Sequence, residues 1–139
     1  MTATNGVTLG SIHDLLARKR YAVTDVDANV LRIQEVESGI ALRGVLEGDI
    51  LYLSLTCAVA PESSITPQLT RKMLAADNGI STSYFQLHQI GDGNIAVTLN
   101  NFCKLQDLNA DDEDDILSCV SFLLADVVFA RDLIAADLK

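Results

Sequence analysis

Cys103 and His88 are the thiol and imidazole that could pair for nucleophilic catalysis, provided the chain brought them onto neighbouring strands. The thiolate is the reactive form, and Lys104 is the one flanking charge that would favour it. His13 is the other histidine, and two isolated imidazoles fall short of the three or four ligands that zinc takes. Asp107, Asn109 and Asp111 alternate as calcium ligands do. The sharp-turn glycine is replaced by Asp112, however, and the closing bidentate glutamate by Ser118, so the loop fails. Gly91-Asp92-Gly93 precedes a strand rather than a helix, so it lacks the aligned amides that cradle phosphate and reads as a hairpin turn. No G-x-S-x-G elbow is present. The sequence therefore predicts a protein that is not an enzyme and that takes no cofactor or metal. The alternatives are an enzyme using Cys103, a small-ligand pocket between sheet and helices, or a structural subunit of a larger assembly.

The residues that would position any site fit one domain spanning 1–139, since 139 residues and 15.0 kDa can bury a core without metals or disulfides. Hydrophobic residues at 49% and charged residues at 21% describe a globular chain. Ten basic residues against 19 acidic ones leave a net charge of −9, which repels a phosphate backbone and argues against nucleic acid as a partner. Arg18, Lys19 and Arg20 are read as cations closing a helix, where they oppose its negative C-terminal end. Cys57, Cys103 and Cys119 are odd in number and form no C-x-x-C pair, which points to reduced thiols in the cytoplasm. MTATNGVTLGSIHDLL has no basic segment leading into an apolar one, so no secretion signal is expected.

Leu9, Ile12, Leu15 and Leu16 have helical spacing, with Thr8 or Ser11 as the cap, and predict a helix over residues 8–20. The period then shortens to two in Leu31 and Ile33, in Ile40, Leu42 and Leu46, and in Leu51, Leu53 and Leu55. Three strands in a meander follow, separated at Glu37-Ser38-Gly39 and Glu47-Gly48-Asp49. Thr66 and Pro67 open a second helix that carries Leu69, Met73, Leu74 and Ala76 toward Asn78-Gly79. Phe85 and Leu87, then Ile95, Val97 and Leu99, make a hairpin, and Phe102, Cys103 and Leu105 suggest one more short strand. The predicted class is α+β, an antiparallel sheet with helices packed on it in the order α-βββ-α-ββ(β)-α.

DDEDDILSCVSFLLADVVFARDL, residues 111 to 133, sets five acids against an apolar run. A membrane span needs about 20 mostly apolar residues. The run from Ile116 to Ala130 is shorter and is broken by Asp126, so no membrane insertion is expected. Asn109 can cap a helix here, with Asp111, Asp112 and Glu113 opposing its positive end. Ile116, Val120, Leu123, Val127 and Ile134 form one stripe, and Leu117, Leu124 and Val128 widen it. Phe122, Phe129 and Leu133 occupy another side. That exceeds the arc of about 100° that one sheet requires. The surplus predicts a surface for another protein or peptide segment, or for a second copy in a homodimer. Its candidate contacts are Leu69, Met73, Phe122, Phe129 and Leu133.

From SIHDLLARKRYAV through RDLIAADLK the chain resembles the small acidic proteins of the type III secretion chaperone-like fold, a group that includes YbjN-like proteins and the uncharacterised bacterial YjfI-like family. PQLTRKMLAADNGISTSYFQLHQIGDGNIAVTLNNF and DLNADDEDDILSCVSFLLADVVFARDL carry most of the likeness, and the acid-led hydrophobic last helix is similar to that of the YjfI-like family. The resemblance implies the helix, strands, helix, strands, helix order. It also implies a non-enzymatic cytoplasmic chaperone or adaptor, often dimeric, that holds another protein, with a link to bacterial envelope stress through PspA-like proteins.

Overall fold

Thr8 opens the first helix reciprocally. Its Oγ1 accepts from the Ser11 amide at 3.1 Å, and Ser11 Oγ accepts from the Thr8 amide at 3.0 Å. The computed structural model describes residues 8–106 and 110–138. Helix α1 (Leu9–Ala17) buries Ile12, Leu15 and Leu16. It stops before the three cations, so the expectation that all of them close a helix is corrected. Arg18 is the C-cap residue, and its Nε donates to the Asp14 carbonyl at 3.3 Å. Lys19 and Arg20 lie in the turn that follows.

The strands are β1 (Tyr21–Asp27), β2 (Val30–Glu35), β3 (Ala41–Glu47), β4 (Ile50–Pro61), β5 (Tyr84–Gln89) and β6 (Asn94–Lys104). A 3-10 turn over Glu62–Ser64 leads to α2 (Pro67–Leu74), and α3 (Ala110–Ala135) comes last. They form one six-stranded antiparallel sheet in the order β1-β2-β3-β4-β6-β5, and the class is α+β as predicted. Two details differ from the sequence reading. The first group has four strands, because β1 is a mostly exposed edge strand whose side chains do not alternate between apolar and polar. The second group has two, because β6 continues unbroken through Phe102 and Cys103.

The local signals elsewhere hold. Thr66 Oγ1 accepts from the Leu69 amide at 3.1 Å, with Pro67 in the first helical turn. The β5–β6 hairpin turns on Gly91, Asp92 and Gly93, all with positive φ (94°, 51° and 76°).

The chain gathers into two compact units, and β4, β6 and α3 each contribute one stretch to either. The first runs to Ser54 and adds Phe102–Ser121; its core holds Ile12, Leu16, Leu31, Ile33, Leu51, Leu53 and Ile116. Gly44 is tightly enclosed there, since a Cβ on it would lie 3.4 Å from Ile33 Cδ1. The second unit is Leu55–Asn101 with Phe122–Lys139, and its core gathers Leu69, Met73, Val97 and Ile134.

Candidate protein-binding surface

Helix α3 begins with Asp111, Asp112 and Glu113 in its first turn, as its dipole favours. The Asn109 cap lies outside the described residues. Asp112 does more than oppose the dipole: it is buried, and its Oδ2 accepts from the Gln106 amide at 2.8 Å. The inward stripe is Ile116, Val120, Leu123, Val127, Ala130 and Ile134, at spacings of three and four. Among the described residues no helix is long and apolar enough to cross a membrane.

Within the second unit the outward side of α3 is also apolar. Phe122 is 46% exposed, Val128 54% and Phe129 57%. Ala125 lies between them on the same exposed face, and Asp132 follows one turn after Phe129. From Phe122 to Asp132 these residues form a strip nearly three turns long, about 15 Å at about 1.5 Å of rise per residue.

A loop from Ala75 to Ser83 borders the strip and is held in place by a residue that the sequence reading treated only as an interruption. Asp126 is buried on the inward side of α3. Its carboxylate accepts from the Ser81 amide at 3.1 Å, from Ser81 Oγ at 3.0 Å and from Ser83 Oγ at 2.9 Å. A carboxylate on an apolar helix face requires such donors, and that placement, three residues after Leu123 and four before Ala130, was the available signal. Asn78 completes the loop. Its Nδ2 donates to the Met73 carbonyl at the end of α2, and its Oδ1 accepts from the Ile80 amide at 2.9 Å. Gly79, at φ 84°, then passes beside Phe129, so that a Cβ on it would stand 3.7 Å from Phe129 Cβ.

The five predicted contacts therefore separate. Phe122 and Phe129 face outward. Leu69 and Met73, 0% and 3% exposed, belong to the core with Val97 and Ile134, and Leu133 is half-buried against that cluster. Placing Leu69 and Met73 on the surface is corrected: they stand four apart on α2, so one inward stripe takes both. The exposed apolar residue of α2 is Leu74.

The pairing of Cys103 with His88 is also corrected. His88 stands opposite Ala96, and its Nε2 lies 3.1 Å from Thr98 Oγ1. Cys103, seven residues along β6 from Ala96, instead shares a hydrogen bond with the Cys119 thiol. That bond, burial, and the negative charges of Asp115 and Asp112 push the Cys103 thiol far up, while the same bond draws Cys119 down against burial and Asp115. Burial pushes Cys57 up to about 11, opposed in part by Arg131. His13 Nδ1 lies 2.7 Å from Asp25 Oδ1, an exposed pairing. Among the described residues, no three His, Cys, Asp or Glu side chains come together to hold a metal ion.

No protein-family model matches the chain, and no curated protein matches it in sequence. Its fold is similar to the crystal structure of YbjN from E. coli, a candidate transcription regulator, with a TM-score of 0.67 over 91% of this chain and 92% of that one. Sequence identity is 14%, so what the two share is the fold. The arrangement of three helices and six strands among the described residues is YbjN-like.

Proposed function

We propose that this chain is a non-enzymatic protein-binding module, an adaptor or regulator, that uses the outward face of α3 to hold another polypeptide. One observation carries the reading: Phe122, Val128 and Phe129 stand exposed together on one side of a helix whose other side is already fully packed. Aromatic side chains flanked by polar groups are the usual anchors of protein interfaces, because burying them excludes much apolar surface at small entropic cost. Asp132 at the edge of the strip favours a partner with basic or amphipathic character. A homodimer is the simplest arrangement of such a surface. The YbjN-like fold supports a regulatory role, and the acid-led last helix supports a place in the YjfI-like family, with cytoplasmic action in envelope stress.

The test is light scattering of the wild type and of Phe129→Asp across a range of concentrations. The proposal expects a wild-type mass above one protomer and a fall to one protomer in the variant, with far-ultraviolet dichroism unchanged. A dimer mass that survives both Phe129→Asp and Phe122→Asp counts against this face. A single-protomer wild type rules out the dimer and leaves a foreign polypeptide as the occupant.

A further inference from the structure

Three consecutive cations in an acidic chain need a physical role, and only Arg18 is absorbed by capping α1. Arg18, Lys19 and Arg20 line a shallow cavity of about 530 Å³ in the first unit, open to solvent over much of its extent, together with Tyr21, Glu35, Leu117 and Ser121. Its lining has three basic residues to one acidic, whereas the whole chain has 10 to 19. We propose that this cavity binds a small multivalent anion, a phosphate ester or a polycarboxylate.

The backbone that carries the cations is fixed at both ends. The Arg18 and Lys19 amides donate to the Asp14 and Leu16 carbonyls at 3.1 and 3.0 Å, and the Arg20 carbonyl accepts from the Val36 amide at 3.1 Å. Tyr21 and Glu35 stand opposite each other on β1 and β2 and form one wall. Glu35 Oε1 already accepts from Ser38 Oγ at 2.6 Å. Arg20 meets Glu37 at 3.6 Å, but those side chains are 84% and 80% exposed, and so exposed a pair yields readily to a better anion.

Guanidinium groups bind phosphate and carboxylate through paired N–H donors, and the Tyr21 and Ser121 hydroxyls add neutral donors beside them. Leu117 supplies an apolar surface for the body of the ligand. The volume has room for a small metabolite, held by charge with much of it facing water. Charge selects against a polymer: a net −9 repels an extended polyanion, while a compact anion meets chiefly the local cations. This site shares no residue with the α3 surface, so either proposal can fail alone.

The probes are pyrophosphate for the phosphate class and citrate for the polycarboxylates, titrated into the full chain and followed by calorimetry and amide chemical shifts. The expected result is binding with shifts at residues 18–21 and 35, weakened at high salt. Lys19→Gln with Arg20→Gln should weaken it by about tenfold or more, with the melting temperature kept as a folding control. Tyr21→Phe keeps the wall and removes the hydroxyl, and should weaken binding less. No binding of either probe at millimolar concentration overturns the proposal. So does equal binding by the folded double variant, or shifts confined to other residues.

Discussion

Within the second unit, α2 and the later turns of α3 both carry large apolar side chains, yet α2 buries Leu69 and Met73 while α3 leaves Phe122 and Phe129 outside. Helix α2 has eight residues, and its two apolar positions four apart make a single stripe that the sheet side consumes. Helix α3 has 26 residues and fills an inward stripe with aliphatic side chains before its aromatic ones are placed. Apolar character therefore has opposite meanings on the two helices. On α2 it is internal packing, and on α3 the surplus is surface.

The sharpest way to break this comparison is to truncate each side chain. Leu69→Ala should lose about 2–5 kcal/mol in urea unfolding because it leaves a cavity. Phe129→Ala should lose under about 1 kcal/mol, since over half of that ring is already in water. Equal losses would mean that Phe129 belongs to the core. Asp126→Ala comes next, at about 1–3 kcal/mol, because it strands the Ser81 amide and two hydroxyls. Asp126→Asn should recover part of that loss, as its amide oxygen can still accept; no difference between the two variants would argue against the carboxylate clamp. Smallest is Leu74→Ser on α2, where 79% exposure predicts a change within about 0.5 kcal/mol.

The cysteines sharpen the contrast between a sheltered and a shared thiol. Cys57 should alkylate far more slowly than Cys119 near neutral pH, as mass spectrometry of iodoacetamide adducts can show. The linkage follows from the sign of the Cys57 shift. Its folded value of about 11 lies above the ordinary 9.0, so the thiol favours the fold fully below pH 9. That contribution declines as the unfolded thiol ionises, and is lost between pH 9 and 11. A Cys57→Ala variant should flatten the alkaline fall in melting temperature, and an unchanged slope would count against it.

Periodicity made most of the architecture legible in the residues themselves. Leu51, Leu53 and Leu55 alternate because β4 is covered on one side, and Thr66-Pro67 signals a helix start whatever the tertiary context. Strand β1 was hidden for the complementary reason: Tyr21–Asp27 is largely exposed, so nothing selects alternation there. The surface was half legible. Phe122 and Phe129 stand off the main stripe in the sequence, but Leu69 and Met73 are assigned inward only by the packing around α2. Asp126 breaks the apolar run as the sequence says, but its role in holding the loop is not legible there because its partners, Ser81 and Ser83, are more than forty residues away.

The Asp126 clamp makes Ser81 an unusual spectroscopic position. It sits in a stretch without helix or strand, where amide protons ordinarily trade with deuterium quickly, yet its N–H is tied to an interior oxygen. Its deuterium uptake would report how often α3 lifts from that loop, a breathing motion that any occupant of the neighbouring aromatic strip should quieten.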